Sequence, residues 1–258
     1  MSNQLLPYIH PNAKIGKDVV ISPFSYIYGD VEIGDGTWIG PNVTIMDGAR
    51  IGKNCKIFPG AVISAEPQDL KYQGEITTVE IGDNTVIREC VTIHKGTTDK
   101  MKTVVGSDCL IMGYVHIAHD CFVGKGCILA NFAALSGHCI IEDYAILEGK
   151  CGAQQFIRIG KHAFIGGGTY IRKNVPPYVK AAREPISYMG VNAIGLRRRG
   201  YSEEVVNNIQ NIYRVLFQRG TNISQAIDII CQEFAESPEL TEIIEFVKAS
   251  DKGIINRG

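Results

Sequence analysis

No C-x-x-C pair occurs among the eight cysteines of this 258-residue chain, so zinc-knuckle and thiol-redox spacings are excluded. No basic region followed by an apolar stretch lies between Met1 and His10, so no signal peptide is expected. No segment is long and apolar enough to span a bilayer. Neither sign of charge is in excess. The 26 Lys and Arg residues against 27 Asp and Glu leave a net charge of −1, which argues against nucleic acid as the main partner. Eight cysteines expected in a reduced core suggest the cytoplasm.

What the chain does have is a period. Ile9, Ile15, Ile21, Ile27, Ile33 and Ile39 open a strict six-residue spacing that runs to Ile63. It resumes in phase at Ile81, Ile87 and Ile93, and again from Val105 through Ile111 and Ile117 to Ile171. A hexapeptide repeat is the sequence sign of a parallel β-helix, and neither an α-helix nor a hairpin stack returns an aliphatic residue at this interval. The fifth position of the hexad is small, as at Ala13, Val19, Ser25, Val31, Thr37, Val43 and Ala61. One large and one small inward residue per hexad fill a narrow three-sided prism. Three hexads make one coil, for about eight coils, each rising roughly 4.8 Å. Coils of this kind are left-handed in known hexapeptide solenoids, an exception to right-handed crossovers. Cys55, Cys109, Cys121, Cys127, Cys139 and Cys151 fall at the small position and are expected as free, buried core residues. Glycine often follows the aliphatic residue, as at Gly16, Gly34, Gly52 and Gly106, where the expectation is a corner with positive φ.

Pro176 and Pro177 close the repeat, and the spacing turns helical. Ser202 is a candidate N-cap for a helix with Val205, Ile209, Ile212 and Leu216 inward. Asn222 or Ser224 starts a second helix through Ile227, Ile230 and Cys231, and Ser237–Pro238 starts a third. The expected division is a β-helix domain at 1–188 and a helical domain at 189–258, the helices capping the open end of the prism.

Two breaks in the period are expected to project as loops. Asp69 and Glu75 in the first, and Asp99 in the second (Lys95 to Thr103), stand where the core would need an aliphatic residue. Loops on a rigid scaffold commonly carry function. His94, His116, His119 and His138 lie in the same band of coils, off the inward positions. Residues 18 apart stack in a three-hexad coil, which puts Asp120 beneath His138. His119 beside a carboxylate is a candidate general base near neutral pH.

Gln68-Asp69-Leu70-Lys71-Tyr72, His116-Ile117-Ala118-His119-Asp120, Gly137-His138, Gln155-Phe156 and Arg197-Arg198-Arg199-Gly200 occur in that order. With these motifs, over essentially its whole length, the chain resembles the UDP-N-acetylglucosamine O-acyltransferase family, which begins lipid A synthesis. The resemblance implies a homotrimer with sites in the clefts between subunits. It implies transfer of an (R)-3-hydroxyacyl group from acyl carrier protein to the glucosamine 3-hydroxyl of UDP-N-acetylglucosamine, with no cofactor or metal. It casts His119 as base, Asp120 as its orienting partner and Gly137 as the backbone oxyanion donor. Asp69 and Lys71 become sugar and phosphate contacts, and His94, His116 and His138 substrate-binding residues. Gln155 and Asn192 are placed near the uracil, Arg198 and Arg199 on the diphosphate, and Gly167 at an acyl-chain ruler.

Two residues depart from the family. Gln154 stands where histidine is frequent, and Ile194 replaces an acidic residue of some relatives. Three other readings remain at this level. The sister N-acyltransferase carries an extra N-terminal domain, for which hexads starting at residue 9 leave no room. A carbonic-anhydrase-type hexapeptide enzyme would bind zinc through His94, His116 and His119. A non-catalytic scaffold would need neither the polar loop nor the arginine run.

Overall fold

The computed structural model describes residues 6–218, 220 and 222–257; the first five residues of the segment read for a leader lie outside them. The hexad aliphatic residues from Ile9 to Ile171 each lie in a short strand. Strands three hexads apart pair in parallel, Ile9 with Ile27, Ile15 with Ile33 and Ile21 with Ile39. Three walls result. The first has nine strands from Tyr8–Ile9 to Tyr170–Ile171, the second eight from Lys14–Ile15 to Arg158–Ile159, and the third begins at Val20–Ile21 and runs into the tail. This is the left-handed parallel β-helix that the period predicts, with a small helical tail.

Successive side chains on a strand point to opposite faces, so the aliphatic residue of each short strand faces the axis. From Ile27 to Ile171 these residues are almost fully buried, each adding about 1.5–3 kcal/mol of hydrophobic stabilisation. Ile9 and Ile15 stay exposed because, among the described residues, no coil covers the first turn. At the fifth position, small polar groups tie one coil to the next. Ser25 Oγ donates to Gly40 O (2.7 Å) and Thr37 Oγ1 to Gly52 O (2.9 Å). Cysteine uses the same geometry: Cys109 Sγ donates to Gly124 O at 3.1 Å, Cys121 to Ser136 O at 3.2 Å and Cys139 to Gln154 O at 3.2 Å. All these thiols are free. The core cysteine is thus a weak donor that spares a buried carbonyl, as well as a small filler.

The glycine expectation needs correction. Positive φ falls two residues later, at Asp18, Gly36, Asn54 and Asp108, while the glycines after the aliphatic residue keep ordinary φ. Their reason is close approach between coils. A Cβ on Gly34 would lie 2.6 Å from Gly52 C, and one on Gly106 2.7 Å from Gly124 C.

Beyond Pro177 the third wall continues. Val179–Ala182 and Ser187–Val191 form an antiparallel hairpin on it, and Asn256–Arg257 adds in parallel. The expected cut between 188 and 189 therefore falls inside a strand. Four helices follow: α1 (Ala193–Arg198), α2 (Glu203–Gln218), α3 (Ile223–Glu233) and α4 (Pro238–Lys248). The sequence reading found the last three and missed α1. Asn222 caps α3 in a capping box with Gln225, and Ser237 caps α4 ahead of Pro238. Cys231 lies on the exposed face of α3 rather than the inner one. The tail is anchored by Tyr213, buried in α2, whose hydroxyl donates to Pro177 O at 2.7 Å.

Candidate active site

Both loops leave the first wall and return at the second, so they flank the corner between those walls. The first joins Val62–Ala65 to Thr78–Ile81 and carries Leu70 and Ile76 almost wholly into solvent. The second joins Thr92–His94 to Lys102–Val105. It is shorter than predicted: Thr103 is buried, pairs with Val79, and accepts the Asp120 N–H on its hydroxyl at 2.8 Å.

At this corner three coil turns place His119–Asp120, Gly137–His138 and Gln155–Phe156 one above another. Asp120, His138 and Phe156 hold φ of 59°, 63° and 68°. Such a conformation costs an L-residue about 1–2 kcal/mol, and the walls on either side enforce it. Its effect is to turn these side chains outward along one edge.

Asp120 is the most tightly held group there. Its Oδ1 accepts Thr97 N at 2.9 Å and Lys100 N at 3.3 Å, and its Oδ2 accepts Thr97 Oγ1 at 2.6 Å. Oδ2 also meets His119 Nδ1 at 2.8 Å. Burial pushes the Asp120 carboxyl up, but the bonds from the Thr97 hydroxyl, His119 and Thr97 N–H outweigh it and hold it below the usual range. An ionised carboxylate only accepts, so Nδ1 carries the proton and Nε2 keeps a free lone pair. Asp69 Oδ2 stands 3.9 Å from that Nε2. His138 packs edge-on against His119 (5.1 Å between centroids) and stacks on Phe156 at 4.5 Å. Its Nδ1 lies 3.1 Å from Asp99 Oδ2 in a direction unsuited to a hydrogen bond, and is otherwise buried without a partner. Gly137 sits against the His119 ring, and among the described residues its N–H donates to nothing.

His94 and His116 form a second pair on the first wall, with rings 4.8 Å apart and edge-on. His116 Nδ1 meets Thr92 Oγ1 at 2.8 Å, while His94 Nδ1 is buried without a partner. Burial, then the neighbouring His116 and His119, push His94 down to about 4. Native His94 thus stays neutral between pH 6.5 and 4, where an unfolded histidine takes a proton. Stability therefore falls as pH drops through that window, by at most about 3 kcal/mol from this group. Thermal melts at pH 7 and pH 4.5 should show the loss in the wild type and a smaller one in His94→Gln. Equal losses in both would refute it.

Other expected site residues lie elsewhere on this chain. Arg199 is at the corner between the second and third walls, its guanidinium carbon 4.1 Å from the Tyr144 ring centre. Arg198 is exposed in the last turn of α1. Arg197 is tied to Glu203 (2.9 Å), but among the described residues neither Arg198 nor Arg199 meets a carboxylate. Asn192 is buried as the N-cap of α1, its amide donating to His162 O at 3.0 Å, so most of its bonding capacity is already used. Ile194 is exposed beside it. Gln155 and Gln154 are exposed above His138, and Lys71 is exposed on its loop. Gly167 is at the third corner, between the third and first walls, with its N–H on Glu148 Oε2 at 2.9 Å.

The sequence reading missed Thr97, the main clamp on Asp120, and Phe156 as the stacking partner of His138. It had marked Thr97's loop as projecting, but a threonine there carries no signal until Asp120 is known to lie beside it. The zinc trio His94, His116 and His119 does not converge either. Among the described residues, the group of three whose donor atoms come within 4.8 Å of one another is His119, Asp120 and His138.

A histidine paired with a carboxylate beside an unused backbone N–H, on the corner of a hexapeptide coil, is an arrangement suited to acyl transfer, and similarity to known proteins places the chain among the hexapeptide-repeat acyltransferases. The profile of bacterial transferase hexapeptides (six repeats) matches residues 12–37, 30–65 and 102–137. That of the second domain of UDP-N-acetylglucosamine O-acyltransferase matches residues 174–255. An acyl-[acyl-carrier-protein]–UDP-N-acetylglucosamine O-acyltransferase of Ectopseudomonas mendocina is 43% identical over 247 residues, 95% of this chain and 96% of its own. The crystal structure of a UDP-N-acetylglucosamine acyltransferase from Bacteroides fragilis is 49% identical with a TM-score of 0.96, over 99% of this chain and 100% of that one. The corresponding structure from Acinetobacter baumannii is 40% identical with a TM-score of 0.94, over 97% and 98% of the two chains. The chain belongs to the acyl-[acyl-carrier-protein]–UDP-N-acetylglucosamine O-acyltransferase family.

Proposed function

We propose that this chain transfers an (R)-3-hydroxyacyl group from acyl carrier protein to the glucosamine 3-hydroxyl of UDP-N-acetylglucosamine, the first step of lipid A biosynthesis, in the cytoplasm and without a metal. The observation that carries it is the His119–Asp120 pair with Nε2 free beside the Gly137 backbone. His119 Nε2 takes the hydroxyl proton as that oxygen attacks the thioester carbonyl. The negative charge that gathers on the carbonyl oxygen is met by Gly137 N–H, a fixed donor of a kind worth about 3 kcal/mol. Collapse expels the carrier thiolate, which takes the proton back from His119. Asp120 fixes the tautomer and steadies the imidazolium. Asp69 is near enough to Nε2 to orient a sugar hydroxyl toward it. An assay with UDP-N-acetylglucosamine and a panel of hydroxyacyl carrier proteins tests the reaction. Absence of transfer with every donor would reject it, and a loss on chelation that zinc restores would favour a metal at His119, Asp120 and His138.

The working unit is a homotrimer. His119 and the unpaired arginines stand on different edges of one prism, so a single chain does not surround one substrate. The nearly bare side chains of Leu70 and Ile76, and the exposed stack of Tyr114 on Phe132 (5.0 Å), suit contact with further copies. On this reading Arg198 and Arg199 meet the diphosphate by bidentate, charge-assisted bonds. Arg198→Ala should weaken nucleotide-sugar binding in calorimetry about tenfold to a hundredfold, with little effect on the acyl donor. Unchanged nucleotide-sugar affinity would remove the diphosphate role.

The acyl chain runs along the first wall. Ala134 and Gly152 leave a shallow cavity of about 230 Å³ there, next to the Gly137 turn. Gly167 stands across this wall from His119 and leaves the groove open, so long donors of roughly fourteen carbons or more are expected, each buried methylene adding about 0.8 kcal/mol. A Cβ at Gly167 would meet nothing nearer than 3.4 Å, so Gly167→Met should fold normally. It should shift preference to shorter chains; an unchanged chain-length profile would dismiss the ruler.

A further inference from the structure

The corner between the second and third walls changes character on its way up the coil. Its positive-φ positions are Asp18, Gly36, Asn54, Asn84, Asp108 and Gly126, residues that tolerate this conformation well. The next three are Tyr144, His162 and Tyr178, at φ 62°, 57° and 65°. Bulky rings are costly there, so something must hold them. The rings stack on one another, Tyr144 on His162 at 5.1 Å and His162 on Tyr178 at 5.8 Å. The switch to rings coincides with the level at which the tail packs. The Tyr178 hydroxyl donates to Glu242 of α4, Tyr201 lies edge-on to His162 at 5.3 Å, and Asn192 donates to His162 O. At the outer end of this column lies the Arg199 guanidinium.

Arg199 has no carboxylate partner among the described residues, so the ring face of Tyr144 is what holds it. Stacking occupies the flat face of a guanidinium and leaves the N–H edge free for an oxyanion. We propose that Tyr144 is a positioning residue for the nucleotide substrate: its ring holds Arg199 with the donor edge free, and the His162–Tyr178 column locks that ring to the tail. The role rests on the reading that Arg199 meets the diphosphate.

Steady-state kinetics test it. Tyr144→Leu should raise KM for UDP-N-acetylglucosamine roughly tenfold while kcat and KM for the acyl carrier protein hold. Tyr144→Phe keeps the ring face and should behave as wild type. In an Arg199→Ala background, Tyr144→Leu should add no further loss. A lower melting temperature with unchanged KM would overturn the role, as would a Tyr144→Phe variant as impaired as Tyr144→Leu. If Tyr144→Leu does not fold, Tyr144→Met takes its place with the same expectations. Arg199→Ala separates the two claims. If it raises KM and Tyr144→Leu does not, the ring has no role; if it leaves KM unchanged, the diphosphate reading itself falls.

Discussion

His119→Ala should lower the transfer rate by at least a hundredfold with the coil intact. General-base catalysis is typically worth about 10²–10⁴ in rate, and among the described residues it is the His119 ring that lies directly against Gly137. The side chain is off the inward positions, so its removal opens no cavity in the prism. Nor does it orphan the carboxylate beneath it. Asp120 keeps the Thr97 hydroxyl and the Thr97 and Lys100 N–H groups after the imidazole is gone. The expected pattern is near-wild-type melting, unchanged nucleotide-sugar affinity and lost turnover. Activity within tenfold of wild type would remove His119 from the role of base.

The coil was legible in the sequence because its period is a packing requirement. A three-sided prism needs one large aliphatic side chain per wall, so the spacing writes the wall directly. The loops were legible as failures of that rule at Asp69, Glu75 and Asp99. The glycines were misread because two needs, positive φ and close approach of coils, select the same residue at different hexad positions. The composition of the site was readable from motifs, but its geometry was only partly so. Stacking at 18 residues links Asp120 to His138, yet the loops stretch that interval, and Thr92 pairs with His116 at 24. The clamp of Thr97 on Asp120 crosses this altered interval and is invisible until the loop is closed. Helix α1 was missed because six residues, Ala193–Arg198, are too few to show a period. The arginine run was visible as chemistry, but the support of Arg199 by Tyr144 joins residues 55 positions apart on separate units.

Gly137→Ala should be nearly as damaging as loss of the base, although it adds a single methyl group. A Cβ there would lie 2.5 Å from His119 Cε1 and 2.6 Å from Nε2, closer than real Cβ contacts come. The imidazole has little freedom to retreat. Asp120 holds one side through Nδ1, and the ring of His138 closes another. Either the His119–Asp120 bond breaks or the turn carrying the Gly137 N–H shifts, and both are parts of the proposed reaction. Displacing a base or an oxyanion donor costs about 10²–10³ in rate in comparable sites. The backbone itself accepts alanine, because Gly137 is not among the positive-φ positions. The expected signature is a folded protein with a small change in melting temperature, ordinary binding of UDP-N-acetylglucosamine, and turnover reduced at least a hundredfold. A Gly137→Ala enzyme with turnover near wild type would show that the turn at 137 is neither against the working base nor part of the oxyanion site.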